Sequence, residues 1–173
     1  RKEKIALQKE SGTFSPKEIK KQENQQKSLK NILAIVLAAF ALLLYANTIG
    51  HDYVLDDFGL IKDNTQTKKG ISAIPDIFKS SYRFGMNITD YTLYRPLTKA
   101  MFAVEWQISP GKPALSHAIN ILLFALTAIV LFRVLSKYLN GQIILPFLTT
   151  ILFIAHPIHA GVVSNIKSRD EIV

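Results

Sequence analysis

The chain has 173 residues, a formal charge of +8 and 49% hydrophobic residues, long enough to bury a core of its own. It holds no cysteine, which excludes a disulfide framework and a Cys-ligated zinc site. The apolar residues are gathered into three blocks with polar residues between them, the distribution of a multi-pass membrane protein rather than of a soluble globule. The first residue is Arg1 and the last, Val173, falls in mid-pattern, so an N-terminal piece of something longer is expected.

Residues 1–30 carry nine Lys/Arg against four Glu, with one aromatic, Phe14. Such a tail could bind nucleic acid, but it abuts an apolar run and reads as a cytoplasmic juxtamembrane segment. No nucleic-acid partner is expected, and a segment with so little to bury is expected to be disordered. The first apolar block, Ile32–Ile49, is 18 residues without a charge. As a helix it would cover about 27 Å, close to the hydrocarbon thickness. No small-x-small cleavage site follows, so the spacing predicts a retained helix over 32–49 rather than a signal peptide. A second helix is predicted over 115–137, with His117 and Asn120 at one end and Arg133 and Lys137 at the other. A third, shorter one is predicted over 140–155, with Pro146 in its first turns, where a missing donor costs least.

Five Lys lie in residues 17–30, and only Lys62 lies in the first fifteen residues after the first helix. The N-terminus is therefore expected in the cytoplasm, with loops 50–114 and 156–173 outside. Ile71, Ile74, Ile77 and Phe78 make one apolar stripe of helical period. Leu97, Met101, Val104 and Ile108, widened by Phe102 and Trp106, make a second, with Pro96 suited to the first position of its helix. Both are expected to be amphipathic helices lying along the membrane interface, with a small soluble cap as the alternative. Asn87-Ile88-Thr89 matches an N-glycosylation acceptor, a pattern common by chance. The fold class that follows is an all-α, multi-pass integral membrane domain over residues 31–173.

The ionisable residues at the predicted outer side form the candidate site: Asp56 and Asp57 after helix one, His117 and Asn120 at the outer end of helix two, His156 and His159 at that of helix three, then Arg169, Asp170 and Glu171. Ionisable groups at membrane depth are costly and usually functional, whereas the predicted cytoplasmic ends carry only Lys and Arg. Taken singly, each has a plainer reading: an Asp pair after a helix caps or turns, His117 and Asn120 bond a neighbouring helix, and His156 and His159 sit at the interface. Arg95 is either solvated or a phosphate contact. No helix spacing supports a metal site in these His and Asp residues, and no cofactor is expected. Together, a carboxylate that takes a proton from a hydroxyl and a cation that holds a departing phosphate are the parts needed to transfer a sugar from a polyprenyl-phosphate donor.

Several runs carry a resemblance to a known family. His51-Asp52-Tyr53-Val54-Leu55-Asp56-Asp57, Tyr94-Arg95-Pro96-Leu97-Thr98, His117-Ala118-Ile119-Asn120-Ile121-Leu122-Leu123-Phe124-Ala125 and Phe153-Ile154-Ala155-His156-Pro157-Ile158-His159, followed by Ser168-Arg169-Asp170-Glu171, resemble the transmembrane and tetratricopeptide-repeat O-mannosyltransferases. Phe124 stands where those proteins usually have His. The resemblance covers about residues 42–173 and lies in the order of the motifs, not in any one of them. It implies a GT-C membrane fold and an inverting transfer of a sugar, typically mannose, from a polyprenyl-phosphate donor to a Ser/Thr hydroxyl of a protein acceptor. It also implies that Asp56 and Asp57 carry the base function, that Arg95 and Arg169 meet the donor phosphate, and that tetratricopeptide repeats follow downstream. The composition is compatible with a bacterial member in the inner membrane. The competing reading is a non-catalytic membrane anchor or scaffold for the repeat domain; a transporter fits less well, because the ionisable groups gather at one face instead of the midplane.

Overall fold

The computed structural model describes residues 15–86 and 92–173; Asn87-Ile88-Thr89 and residues 1–14 lie outside the described residues. The described residues are helical, with no strand among them. Helix α1 runs over Pro16–Tyr45 and continues as a 3₁₀ turn, Ala46–Gly50. Three short pieces follow: a π turn Phe58–Lys62, a 3₁₀ stretch Thr67–Ala73 and the four-residue α2, Ile74–Ile77. Then come α3 (Pro96–Ile108), α4 (Ala114–Tyr138), α5 (Ile144–Ala155), α6 (Ile158–Ser164) and a closing 3₁₀ turn, Lys167–Glu171.

Two of these helices, α1 and α4, are long and apolar enough to cross a membrane. A third span arises only if α5 and α6 are taken together across their break at His156-Pro157. The chain is thus an all-α membrane domain with two or three spans. On α4 the exposed residues Leu122, Leu126, Val130 and Val134 form a ridge of period four, an apolar face suited to lipid contact.

The chain divides into two compact units. The first comprises the residues up to Leu43 with Ala125–His156. Its buried residues include Ala34, Leu37, Ala41, Ala128 and Phe132; small side chains at such positions let helix backbones approach closely. Phe132 meets the edge of the Phe147 ring, centroids 6.4 Å apart. The second unit comprises Leu44–Phe124 with Pro157–Val173. One core cluster joins Tyr53, Leu60, Ile61, Tyr82, Phe102 and Ile166; another joins Ala73, Ile77, Ala100 and Ala103.

Four features differ from the sequence expectation. The tail expected to be disordered is helical from Pro16. Ser15 and Glu18 form a reciprocal capping box, the Ser15 amide donating to the Glu18 carboxylate at 2.8 Å and the Glu18 amide to the Ser15 hydroxyl at 3.4 Å. The Lys/Gln/Glu-rich stretch that follows consists of good helix formers. At 30 residues the helix is about 45 Å long, longer than the bilayer core, so its polar part can stand outside the hydrocarbon. The third helix starts at Ile144 instead of 140, because Asn140 (φ 51°) and Gly141 (φ 83°) stand in left-handed backbone. The Ile71–Phe78 stripe is not one amphipathic helix: it begins in a 3₁₀ piece that follows the left-handed Gly70 (φ 67°) and passes into α2, with Pro75 in its first turn, and Ile71 and Phe78 are exposed while Ile77 is buried. The fourth difference is on α3. Its core face is Thr98, Lys99, Phe102, Ala103 and Glu105, with Leu97 and Ile108 of the predicted stripe exposed.

The loop between the π turn and α3 is held by one buried side chain. The Asn64 amide donates to the carbonyls of Gly59 (3.2 Å) and Phe84 (3.1 Å), and its oxygen accepts from the amides of Gln66 and Thr67, both at 3.0 Å. The buried Lys99 ammonium donates to the same Phe84 carbonyl at 2.6 Å, and burial pulls its pKa down to about 8. Asn64→Ala removes all four bonds, leaving the Gln66 and Thr67 amides without their side-chain acceptor, and is expected to destabilise the full-length protein by about 2 kcal/mol or more, read as a lowered denaturation midpoint in detergent. A midpoint within error of wild type would show that water replaces every bond.

Candidate functional site

In the second unit Asp56, Asp57, Arg95 and Asn120 are all joined to the segment Lys167–Asp170, which carries the buried guanidinium of Arg169. Arg169, in the closing 3₁₀ turn, is wholly buried. It makes a bidentate ion pair with Glu105 of α3 through both terminal nitrogens. Its Nε donates to the Asn120 side-chain oxygen at 2.7 Å, and a terminal nitrogen donates to the Ser116 carbonyl at 3.0 Å. The guanidinium also lies over the Phe102 ring, 4.7 Å from its centroid. Asn120 extends the network, its amide donating to the carbonyls of Asn165 (3.1 Å) and Val163 (3.4 Å). A buried charge is stable only when its donors are matched in this way. Arg169, expected to meet a donor phosphate, is therefore committed to protein partners, and Asn120 holds it there.

The two adjacent aspartates part company. Asp57 is wholly buried. One of its oxygens accepts from the Lys167 amide at 2.8 Å and the other from the Val54 amide at 3.1 Å. The Asp57 amide in turn donates to the Val54 carbonyl at 2.9 Å, closing a tight turn. Asp56, next to it, keeps 64% of its side chain exposed, with the Lys167 ammonium 3.9 Å from a carboxylate oxygen. The turn forces Leu55 into left-handed backbone, φ 44°, with the residue 84% exposed. For a residue with a Cβ this costs about 1–3 kcal/mol, a form of strain that gathers at functional sites.

Arg95 immediately precedes α3, and its guanidinium pairs with the Asp170 carboxylate. The Arg95 side chain is 40% exposed whereas that of Asp170 is buried, so the pair holds Arg95 at the surface by one end. His117 is buried, its ring meeting that of His51 edge-on at 6.2 Å between centroids. His159 packs against Phe124, centroids 5.3 Å apart. Glu171 is exposed. His156 is exposed at the end of α5, in the first unit. Among the described residues no group of three His, Asp or Glu side chains is placed to hold a metal ion.

Sequence reasoning missed Glu105, Ser116 and Lys167. Glu105 carried one signal, the single carboxylate of a largely apolar helix; Lys167 acts partly through its backbone amide, which no side-chain pattern reveals.

Burial pushes the Asp57 carboxyl above the ordinary carboxylate range, although the Val54 and Lys167 amides pull it back. A proton held more tightly in the folded than in the unfolded state stabilises the fold at acid pH, and that contribution is lost as pH rises through the raised value. Wild-type protein is therefore expected to lose stability relative to Asp57→Asn as pH is raised from about 4 to about 7, measured as the difference in their denaturation midpoints. A difference that stays flat, or that moves in favour of wild type, contradicts the shift.

No family model matches the chain, and no solved structure matches it. Curated relatives do. The chain is 33% identical over 145 residues to the protein O-mannosyl-transferase tmtc2 of Xenopus laevis, an alignment covering 82% of this chain and 17% of that protein. It is 32% identical over 144 residues to human protein O-mannosyl-transferase TMTC2, again 82% of this chain and 17% of the relative. It is 27% identical over 168 residues to the protein O-mannosyl-transferase F38B6.6 of Caenorhabditis elegans, 94% of this chain and 23% of that protein. The chain therefore spans only 17–23% of the length of these relatives. Over that span it belongs to the TMTC O-mannosyl-transferase-like family.

Proposed function

We propose that this chain is the N-terminal, base-bearing part of a membrane glycosyltransferase that moves a sugar, mannose by the names of its relatives, from a polyprenyl-phosphate donor to a Ser/Thr hydroxyl of a protein. The observation that carries this reading is the division of the acidic pair: Asp57 is buried and bound by two backbone amides, whereas Asp56 is presented to solvent beside a cation. Asp56 is the base and Asp57 the residue that positions it.

In this scheme Asp56 takes the proton of the acceptor hydroxyl, whose oxygen attacks the anomeric carbon of the sugar. The bond from that carbon to the phosphate oxygen breaks, and the electron pair leaves with the phosphate as a stable anion, needing no acid. Arg95, tethered by Asp170 yet partly exposed, is suited to hold that phosphate, and Lys167 adds a second positive charge close to Asp56. Guanidinium groups match phosphate oxygens in geometry as well as charge. His117, Asn120 and His159 shape this surface from within, through Arg169 and the ring contacts; Glu171 is a further proposed donor contact. By the positive-inside bias the N-terminus would lie in the cytoplasm and Asp56 at the outer face, the side on which a bacterial member would act in the inner membrane. Tetratricopeptide repeats and further GT-C helices would come from the remainder of the protein.

Removing a general base typically costs roughly 10²–10⁴ in rate. In the full-length protein in membranes, Asp56→Asn is expected to lower transfer from polyprenyl-phosphate mannose into that range while leaving the denaturation midpoint unchanged. Asp57→Asn replaces an acceptor of two amides and is expected to disturb both. Transfer by Asp56→Asn at the wild-type rate would remove the catalytic reading and leave a membrane anchor for a downstream domain. For orientation, cysteines at Lys69 and Lys21 are expected to react with an impermeant reagent from opposite sides of the membrane; reaction from one side contradicts the topology.

A further inference from the structure

A basic cavity lies in the first unit, at the C-terminal end of α4. Lys30 of α1, Phe132, Arg133, Ser136 and Lys137 of α4, and Gly141 of the turn that follows line a volume of about 160 Å³. The turn shapes it: Asn140 and Gly141 both take left-handed backbone, and the Gly141 amide donates to the Ser136 carbonyl at 2.9 Å, which closes the helix in the manner of a Schellman cap.

Three observations separate this cavity from the basic helix end that membrane topology alone requires. Among the described residues, none of Lys30, Arg133 and Lys137 is ion-paired with a carboxylate, so three cations converge without a counter-charge. Ser136 is 2% exposed, and its hydroxyl has no hydrogen-bond partner, although buried polar groups are nearly always satisfied. The cavity also adjoins, at Gly141, an apolar recess of about 400 Å³ whose lining includes Ile144, Leu145 and Leu148 of α5, all three exposed. A topology signal needs charge near a helix end; it needs neither a cavity nor an unpaired hydroxyl.

We propose that this is a binding site for an anionic phospholipid, with the phosphate diester held by Lys30, Arg133, Lys137 and the Ser136 hydroxyl and an acyl chain lying along Ile144, Leu145 and Leu148. The cations and hydroxyl match phosphate oxygens, and basic pockets between membrane helices are where anionic headgroups settle. The C-terminal dipole of α4 opposes an anion, but three uncompensated full charges outweigh a partial one. Free phosphate would satisfy the polar half of the site and leave the apolar half empty, so the occupant is a lipid. None of its residues belongs to the acidic pair or to the unit that carries that pair.

The test uses the full-length protein in neutral detergent, titrated with phosphatidylglycerol, phosphatidylcholine or inorganic phosphate, with bound lipid read by native mass spectrometry and stabilisation by the denaturation midpoint. Phosphatidylglycerol is expected to bind and stabilise; phosphatidylcholine and phosphate at equal concentration are not. Lys30→Gln/Arg133→Gln/Lys137→Gln is expected to weaken phosphatidylglycerol binding about a hundredfold, from the usual contribution of each basic side chain near an anionic headgroup. Ser136→Leu fills the cavity without changing any charge and is expected to weaken it too, with Ser136→Val as the smaller replacement if leucine prevents folding. Lys17→Gln/Lys20→Gln/Lys21→Gln, which removes charge elsewhere on α1, is expected to leave binding unchanged. Equal binding by the cavity variants, equal weakening by the Lys17/Lys20/Lys21 variant, or stabilisation by phosphate as strong as by phosphatidylglycerol would overturn the assignment.

Discussion

The second unit depends on one buried ion pair, Arg169 with Glu105. Removing two charges from water is costly, and their mutual attraction compensates only when the remaining donors and acceptors are also matched. Here they are. Asn120, the Ser116 carbonyl and the Phe102 ring complete the guanidinium's surroundings, and Asn120 passes the constraint on to the carbonyls of Val163 and Asn165. The pair thereby ties together α3, the first turns of α4 and the stretch that follows α6, segments separated in the chain by up to 64 residues. Networks of this kind specify one arrangement, because a half-satisfied version is worse than none.

What the arrangement presents is a pair of neighbouring carboxylates in different environments. The amide of Lys167, two residues before Arg169, reaches Asp57 across 110 residues of chain. With Asp57 fixed from both sides, the turn through Leu55 has little freedom, and Asp56 is left facing outward with the Lys167 ammonium near it. The strain at Leu55 is the local cost of that presentation. Arg95 is placed in a comparable way, anchored by buried Asp170 and open on its other side. A rigid inner layer of Arg169, Glu105, Asn120 and Asp57 thus supports an outer layer of Asp56, Arg95 and Lys167, the division of labour expected where chemistry needs groups held without side-chain search.

The membrane helices were legible in the sequence because long uncharged apolar runs admit few other structures. The polar extension of α1 was not, since Lys/Gln/Glu-rich sequence looks solvated whether helical or coiled; the deciding signal, Ser15 followed three residues later by Glu18 with Pro16 at the first helical position, was present but short. The Ile71–Phe78 stripe had the correct period and the wrong continuity, because it passes from a 3₁₀ stretch ending at Ala73 into α2, with Pro75 in the first turn. Residues Asp56, Asp57, Arg95, Asn120, Arg169 and Asp170 were visible as a set. Their division into inner and outer layers was not, because it is decided by partners such as Glu105 and the Lys167 amide, and tertiary hydrogen bonds leave no periodicity along the chain.

The most direct measurement of the ion pair's role is a double-mutant cycle in the full-length protein, with Glu105→Leu, Arg169→Met and the two combined, read as denaturation free energy in detergent. If the buried pair holds the unit together, each single change strands a charge and costs about 3–5 kcal/mol, while the double variant costs no more than either single one. Losses that simply add, or single changes that leave stability untouched, would mean that Arg169 and Glu105 act separately and that something else fixes the turn carrying Asp56.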